Sequence, residues 1–421
     1  MTASEVAGFE PARHWYLGLL FGIPLSVKKG CCPAGLIVLR SIRNGARMQE
    51  CDRKIRVCFV MPKTYPLFNP SVEGVFGGAE VDLYYLSTEL AKDERFDVSF
   101  VVADYGQEKV EQIENVRVIK SLTFKENPVA GAQKIWGAMK EAGADVYFLE
   151  TASPGVPLAQ WFCSSNEKKL VYRTAHLREC DGSYLKQKPL VGRAYLWAVR
   201  NAGAVVTQNE SDREMFRETT GVNSIVIPNG QRMPELGGKT SDCVLWVGRS
   251  VGFKRTDVFL ELAKRCGGQR FVMICQKATG DDKYEELKAA AGEIENLEFI
   301  ERVGFHEIDK YFLSARAYVN TSDAEGFPNV FIQACKAAVP ILSLNVNPDG
   351  FLDKYECGKC YGGDVEKMSR ELGSLDVMLG EGENGQMGAN GRRYVEERHD
   401  ITKIVERYKE IFIELAGGGE C

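Results

Sequence analysis

Short, wholly apolar runs alternate along the chain with stretches that have the pattern of helices. A first set of apolar runs includes "IRVCFVMP", "DVSFVVADY", "DVYFLET" and "AVVTQN", and a second set includes "CVLWVGRS", "RFVMICQ", "AYVNTS" and "PILSLN". Continuous Val, Ile and Leu runs predict strands of parallel sheets that are covered by helices on both faces. The pattern therefore predicts an α/β protein with two doubly wound domains.

The boundary between the two domains is marked by a polar, glycine-bearing segment, "QRMPELGGKTSD". We expect a first domain over residues 48–230 and a second over residues 231–401. The closing helical stretch, residues 402–416, is expected either to cap the second domain or to return to the first. Because open α/β sheets bind ligands at the C-terminal ends of their strands, these ends should face one another across a cleft. Residues 1–47 lack a periodic pattern and are expected to be a poorly ordered extension.

Composition and charge narrow the class of protein. The 421 residues are 44% hydrophobic and 26% charged, and their formal net charge is -5. This balance argues against nucleic-acid binding, which usually needs a basic surface. The N-terminal run "WYLGLLFGIPLSV" is shorter than the roughly 20 residues of a membrane-spanning helix. The 13 cysteines are scattered without a disulfide framework, which fits a reducing compartment and predicts a cytoplasmic protein.

The segment "VNTSDAEGFPNVFIQA" has chemically useful residues where a strand is followed by a helix. Gly326 permits backbone angles that a side chain would forbid, and Pro328 suits the first turn of a helix. The N–H groups at such a helix start favour a phosphate, while Glu325 can accept hydrogen bonds from hydroxyls. This combination indicates a nucleotide-sugar site. The alternative is that Glu325 and Asp323 only cap the helix.

A second segment, "VLWVGRSVGFKRTDVFLELAKR", has two cations just beyond a strand that ends at Gly248. Arg249 can bind two oxygens of a diphosphate at once, and Lys254 adds a point charge. The pair therefore predicts a diphosphate clamp. The alternative is two solvated surface cations.

Taken together, these segments resemble a known family. "GRSVGFKRTDVFLELA" followed by "SDAEGFPNVFIQA" is similar to the C-terminal half of the group 1 glycosyltransferases, glycosyltransferase family 4. "EGVFGGAEVDLYYLSTELAK" resembles the family's glycine-rich loop, and "IPNG" at residues 227–230 resembles its inter-domain marker. The resemblance covers roughly residues 53–415. It implies retaining enzymes with two Rossmann-like domains, the GT-B fold, in which the first domain selects the acceptor and the second binds the nucleotide-sugar.

The resemblance also implies roles for residues of the second domain. Arg249 and Lys254 would neutralise the leaving diphosphate, and Glu325 would hold hydroxyls of the donor sugar. Further donor contacts are expected from Gly248, Gly326, Phe327, Pro328, Asn329, Val330 and Gln333. Members of the family often have a second glutamate eight positions after the first, but this chain has Gln333 there. An amide can still hydrogen-bond the ribose, so the departure is compatible with activity, but it puts ribose affinity and nucleotide preference in question.

In the first domain the resemblance points to a glycine pair and a histidine. Gly77 and Gly78 would let a loop approach the donor phosphate or the acceptor, or else form an ordinary turn before an amphipathic helix. His176 follows the strand run "LVYRTAH" and would hydrogen-bond the donor sugar or polarise the reacting centre. The alternative is a structural histidine. Arg173 and Asp181 are weaker candidates nearby.

The expected mechanism uses no metal and no cofactor other than the nucleotide-sugar itself. The sequence contains no Asp-x-Asp, and its four histidines are too dispersed to complete a zinc site with cysteines. Nor does it offer a convincing pair of carboxylates for hydrolysis with retention. The resemblance implies front-face displacement, in which the departing diphosphate helps to deprotonate the acceptor.

A basic stretch, residues 168–200, suggests where an acceptor or a membrane could contact the protein. It contains eight basic residues, Lys168, Lys169, Arg173, Arg178, Lys186, Lys188, Arg193 and Arg200. Such a patch could dock a lipid-linked acceptor or the acidic inner face of a membrane. The alternative is an ordinary solvated face.

The sequence thus predicts a cytoplasmic hexosyltransferase-like enzyme that moves a sugar from a nucleoside diphosphate to a glycan or glycolipid hydroxyl, in polysaccharide or cell-envelope synthesis. Two alternatives remain. A nucleotide-sugar 2-epimerase on the same fold would need several acid–base groups at its site. A nucleotide-sugar-binding scaffold without turnover is the other, and Gln333 keeps it open.

Overall fold

The computed structural model describes residues 53–74, 76–187, 189–237, 242–278, 280–325, 327–375 and 383–417. The predicted extension, residues 1–47, lies outside these residues, as do Lys188 and Gly326. The chain forms two compact units. The first runs to Pro228 and resumes at Val405, and the second spans Asn229–Ile404.

The first unit is built on an eight-stranded sheet with the order β3-β4-β2-β1-β5-β6-β7-β8. Its strands are β1 (Ile55–Val60), β2 (Phe96–Val102), β3 (Val110–Ile113), β4 (Val116–Lys120), β5 (Val146–Glu150), β6 (Lys169–Arg173), β7 (Ala204–Thr207) and β8 (Ile225–Val226). All neighbours pair in parallel except β3 and β4. These two form an antiparallel hairpin through Glu114 and Asn115, which have φ of 48° and 62°. Positive φ at both turn residues matches the right-handed twist of the strands.

Helices connect the strands of the first unit. They are α1 (Tyr65–Phe68), α2 (Gly78–Leu90), α3 (Pro128–Ala142), α4 (Gly155–Ser165), α5 (Leu177–Cys180), α6 (Ser183–Gln187), α7 (Pro189–Asn201) and α8 (Glu210–Thr220). Local sequence explains their ends. The Asn127 side chain caps α3 by accepting from the Ala130 N–H at 3.0 Å, and Gly143 ends it at φ 58°.

The second unit contains a six-stranded, wholly parallel sheet with the order β11-β10-β9-β12-β13-β14. Its strands are β9 (Cys243–Arg249), β10 (Phe271–Gln276), β11 (Leu297–Ile300), β12 (Ala315–Asn320), β13 (Ile341–Ser343) and β14 (Gly358–Cys360). Its helices are α9 (Thr256–Arg265), α10 (Tyr284–Gly292), α11 (Ile308–Ser314), α12 (Asn329–Lys336), α13 (Phe351–Lys354), α14 (Val365–Gly373) and α15 (Glu383–Arg398). This strand order is that of the Rossmann fold. The prediction of two doubly wound α/β domains is confirmed.

The last helix, α16 (Ile401–Leu415), begins in the second unit and ends in the first. Within the first unit the Phe412 ring packs on Phe59 and Phe148, with centroid distances of 6.4 and 6.2 Å. Phe412 is fully buried. The core of the first unit is therefore completed by the end of the chain.

The helix after the glycine pair differs from its prediction. The sequence predicts an amphipathic helix there, but every residue of α2 from Asp82 to Thr88 is buried. A helix that is buried on all sides loses the one-sided pattern that defines amphipathicity.

Candidate functional site

The second sheet reverses its strand order between β9 and β12, its two central strands. Open α/β sheets bind ligands at this point, just beyond the C-terminal ends of the strands. Lys254 ends a short 3₁₀ helix, Gly252–Lys254, that follows β9, and Glu325 follows β12. The two residues are therefore brought to the place where a ligand is expected.

Lys254 and Glu325 form a direct ion pair. The Lys254 ammonium donates to Glu325 Oε2 at 2.6 Å, and each side chain is 15% exposed. The Asn320 amide donates to the other carboxylate oxygen at 3.0 Å. Burial opposes ionisation of Glu325, but the hydrogen bonds from Lys254 and Asn320 outweigh it and lower the pKa of Glu325. The site therefore holds an ionised carboxylate beside a cation.

A buried tryptophan supports the loop that carries the lysine. Trp246 Nε1 donates to the Thr321 hydroxyl at 3.0 Å, and that hydroxyl donates to the Lys254 carbonyl at 2.7 Å. Gly248 is required beside this ring, because a Cβ there would lie 2.9 Å from Trp246. The loops after β9 and β12 are thus fastened to each other.

Arg255 fastens the same two loops from the outer side. Its guanidinium pairs with Asp257 at 2.9 Å and with Asp323 at 3.2 Å. Its backbone has φ 47°, in the left-handed region that costs a non-glycine residue about 1 kcal/mol or more. A strained backbone at this point indicates that the loop geometry is imposed by its contacts.

Arg249 ends β9 and is exposed. Its guanidinium forms no hydrogen bond or ion pair with another residue in the part of the chain that the structure describes. An anion could bind it without displacing an internal partner. Of the two predicted clamp cations, the structure pairs Lys254 with Glu325 and leaves Arg249 open.

The helix start beside Glu325 lacks a side-chain cap. Pro328 is the N-cap of α12, with φ -69° and ψ 125°, and no side-chain hydrogen bond caps the helix. The carboxylates of Glu325 and Asp323 are engaged by Lys254, Asn320 and Arg255 instead, so neither caps α12. The first N–H groups of α12 can therefore meet an anion.

The remaining predicted donor residues lie along α12 and just before it. Phe327 is 45% exposed, and its ring packs edge-on against Phe351 at 5.0 Å. Asn329 is exposed, whereas Val330 and Gln333 are half-buried. The Gln333 amide makes no side-chain hydrogen bond to another described residue. It follows Asn329 by one helical turn and lies on the same side of α12.

The predicted residues of the first unit occupy helix starts. Gly77 is the N-cap of α2 and Gly78 its first residue, and the Gly77 N–H donates to the Glu80 carboxylate at 2.7 Å. The Glu80 carboxylate thus occupies the N-terminus of its own helix, where an anion is favoured. His176 precedes α5 and is exposed. Its ring makes no hydrogen bond to the residues described.

The first sheet reverses its order between β1 and β5, and a buried charge cluster that was not predicted from the sequence lies there. Arg173 Nη1 meets Glu150 at 3.3 Å and Asp82 at 3.5 Å, and all three side chains are at most 4% exposed. Burial raises the pKa of Glu150 well above its ordinary value and that of Asp82 to about 7, although Arg173 opposes both shifts. The prediction that Arg173 belongs to a basic surface is wrong.

A signal for this cluster was present in the sequence. Glu150 and Arg173 each end a buried strand, in "DVYFLE" and "KLVYR", and they are register partners across β5 and β6. Opposite charges at adjacent strand ends are expected to pair.

Comparison with known proteins assigns a family model to each half of the chain. Residues 76–231 match the model described as Glycosyltransferase Family 4, and residues 232–355 match the model described as Glycosyl transferases group 1. The two matches meet at residues 231 and 232, three residues beyond the change of structural unit after Pro228.

A curated relative and two solved structures are similar over most of the chain. An uncharacterized glycosyltransferase of Haemophilus influenzae is 25% identical over 366 residues, 80% of this chain and 97% of the relative. Anabaena HepE in complex with UDP and glucose has a TM-score of 0.59 at 15% identity, covering 85% of this chain and 98% of HepE. Sucrose-phosphate synthase from Thermosynechococcus elongatus has a TM-score of 0.61 at 15% identity, covering 87% and 100%. These likenesses confirm the predicted fold class, two Rossmann-like domains of the GT-B type.

Proposed function

This chain belongs to the group 1 glycosyltransferases, and we propose that it transfers a sugar, with retention of configuration, from a nucleoside diphosphate sugar to a hydroxyl of a glycan or glycolipid. The proposal includes a cytoplasmic location and a role in polysaccharide or cell-envelope synthesis. The observation that carries it is the group at the reversal point of the second sheet: Lys254 paired with Glu325, beside the open guanidinium of Arg249.

The geometry supports separate roles for the cation and the carboxylate. An ammonium has three donor hydrogens, so Lys254 can keep Glu325 and still donate to a diphosphate oxygen. Glu325, held ionised, is an acceptor for sugar hydroxyls. Arg249 and the uncapped start of α12 would add further donors to the diphosphate.

In the proposed transfer, the bond between the anomeric carbon and the diphosphate oxygen breaks, and its electron pair leaves with the diphosphate. The acceptor oxygen forms the new bond on the same face, and its proton passes to a diphosphate oxygen. Charge grows on the leaving group, so Lys254 and Arg249 stabilise the transition state more than the bound donor.

The nucleotide can be identified by thermal stability. A ligand that binds only the folded protein raises its melting temperature, so UDP, GDP, ADP and their common sugar conjugates should be screened. The HepE structure contains UDP and glucose, which supports testing uridine nucleotides first. We expect a shift with one nucleotide class.

A matched pair of variants links that shift to the proposed site. Arg249→Ala should abolish it, whereas Lys264→Ala, at an exposed position of α9, should retain it. No shift with any nucleotide, or an equal shift in the Arg249 variant, would contradict the proposed donor site.

A further inference from the structure

The eight basic residues of the stretch 168–200 do not form one patch. Arg173 is buried, Lys168 pairs with Asp145 at 3.3 Å, and Arg200 donates to the Thr220 carbonyl at 3.0 Å. Four others are exposed and form no ion pair with another described residue: Lys169 on β6, Arg178 on α5, Lys186 on α6 and Arg193 on α7. Two of these four cations, Lys186 and Arg193, lie on the two helices α6 and α7, which contact each other.

Exposed apolar side chains accompany these cations on α7. Leu190 is 58% exposed and Trp197 is 40% exposed, although tryptophan is among the most costly side chains to leave in water. Leu190, Arg193 and Trp197 are spaced by three and four residues, so they lie on one side of the helix. The opposite side of α7 is buried in the core of the first unit.

This surface is held in place by the packing beneath it. A Cβ at Gly192 would lie 3.0 Å from the Leu185 backbone, so α6 crosses α7 at close range. The Tyr184 and Tyr195 rings pack edge-on at 5.2 Å, and the Tyr195 hydroxyl donates to that of Tyr172 at 3.1 Å. Presenting the surface to a partner therefore requires no ordering of α6 or α7.

The two acidic residues of the same stretch, Glu179 and Asp181, form hydrogen bonds within the protein. Glu179 is buried and accepts hydrogen bonds from the Tyr172 hydroxyl at 2.7 Å and the Ala175 N–H at 3.1 Å. Asp181 is half-buried and accepts from the Ser183 N–H at 2.8 Å. The exposed charged side chains described in this stretch are therefore all basic, on a chain whose net charge is -5.

We propose that the surface formed by Lys186, Leu190, Arg193 and Trp197 binds the face of a phospholipid bilayer that contains anionic lipids. Tryptophan favours the headgroup level, leucine can enter the acyl boundary, and cations are attracted to anionic headgroups. No helix among the described residues is long and apolar enough to cross a membrane. The contact proposed here is a peripheral one. It extends the proposed function, since a lipid-linked acceptor would lie in the same bilayer, but its test needs no sugar transfer.

Trp197 provides a site-specific probe of this contact in the full chain. Vesicles of phosphatidylcholine and phosphatidylglycerol with brominated acyl chains quench tryptophans that reach the bilayer. The chain has five tryptophans, among them Trp15 near the N-terminus and Trp161, which is exposed on α4. We expect quenching to be lost in Trp197→Phe and kept in Trp15→Phe and Trp161→Phe. Quenching that persists in Trp197→Phe, or no binding to anionic vesicles, would overturn the proposal.

The charge component can be measured by sedimentation with the same lipids. Lys186→Glu combined with Arg193→Glu should weaken partition to anionic vesicles at least about tenfold. Lys125→Glu with Lys140→Glu, two exposed lysines elsewhere on the first unit, should leave it within about twofold. Equal losses in both double variants would show only a response to net charge and would also overturn the proposal.

Discussion

Both sheets reverse their strand order, but the charged side chains at the two reversal points differ in number and in burial. In the second unit Lys254 and Glu325 form a pair that stays 15% exposed on each side. In the first unit Arg173, Glu150 and Asp82 are at most 4% exposed. The pair at the second reversal point remains partly accessible to a ligand, whereas the first reversal point is filled by its own side chains.

This difference shows that a reversal of strand order indicates where a ligand could bind, but the side chains at that point determine whether one can. An ion pair that stays in partial contact with water costs less to rearrange than a fully buried one, because water and screening weaken it. A buried cluster of one cation and two carboxylates is different, since removing the cation leaves both carboxylates without a counter-charge in a low dielectric. The contrast can be tested through stability, turnover and pH.

The largest effect is expected from Arg173→Met. Loss of the cation would leave Glu150 and Asp82 buried without a counter-charge and should lower the free energy of unfolding by about 3 to 5 kcal/mol. Urea unfolding followed by circular dichroism measures this. Arg249→Met, at an exposed position, should change stability by less than about 0.5 kcal/mol. Similar losses in both variants would remove the distinction between the two reversal points.

A large effect on turnover, with little effect on folding, is expected from Lys254→Ala. One donor aimed at the leaving group is worth roughly 100-fold to 1,000-fold in kcat. The release of nucleoside diphosphate from the donor found in the thermal screen measures the change, and Lys264→Ala is the matched control. Undiminished kcat in a folded Lys254→Ala protein would exclude the ammonium from the transition state.

The smallest effect is the response to pH, and its sign differs between the units. The pKa of Asp82 is raised to about 7, so the carboxyl binds its proton more tightly in the folded state. Its stabilising contribution is complete below its ordinary pKa of 3.8 and is lost as pH rises through about 7. Glu325, whose pKa is lowered, contributes above its ordinary pKa and loses that contribution as pH falls.

Asp82→Asn tests the sign of this response. The variant should flatten the decline in melting temperature between about pH 4 and pH 7, as measured by calorimetry at a series of pH values. An unchanged slope in Asp82→Asn would mean that this carboxyl is already ionised in the folded protein.

Much of the fold could be predicted because most of the buried strands correspond to short, continuous apolar runs in the sequence. The hairpin strand β3, "VEQI", was missed, since its side chains alternate between exposed and half-buried and only two of them are apolar. Its signal was the turn, where Asn115 tolerates positive φ. The burial of α2 was also missed, because it depends on neighbours distant in sequence.

The candidate site was likewise predictable only in part. Arg249, Lys254 and Glu325 could be chosen from the sequence because each lies at a strand end or just after one. The pairing of Lys254 with Glu325 could not be, since it requires β9 and β12 to be neighbours, and the two residues are 71 positions apart. Arg173 was misassigned because it was grouped with the neighbouring charges of the stretch 168–200, although its place at the end of a buried strand beside Glu150 favours a buried pair.

The return of α16 to the first unit has a consequence for synthesis on the ribosome. The second unit is one continuous stretch, Asn229–Ile404, and can close as soon as that stretch has emerged. The first unit must wait for Phe412, which fills the space beside Phe59 and Phe148. The unit that is translated first therefore completes its folding last. A chain truncated before α16 would lack part of the core of the first unit.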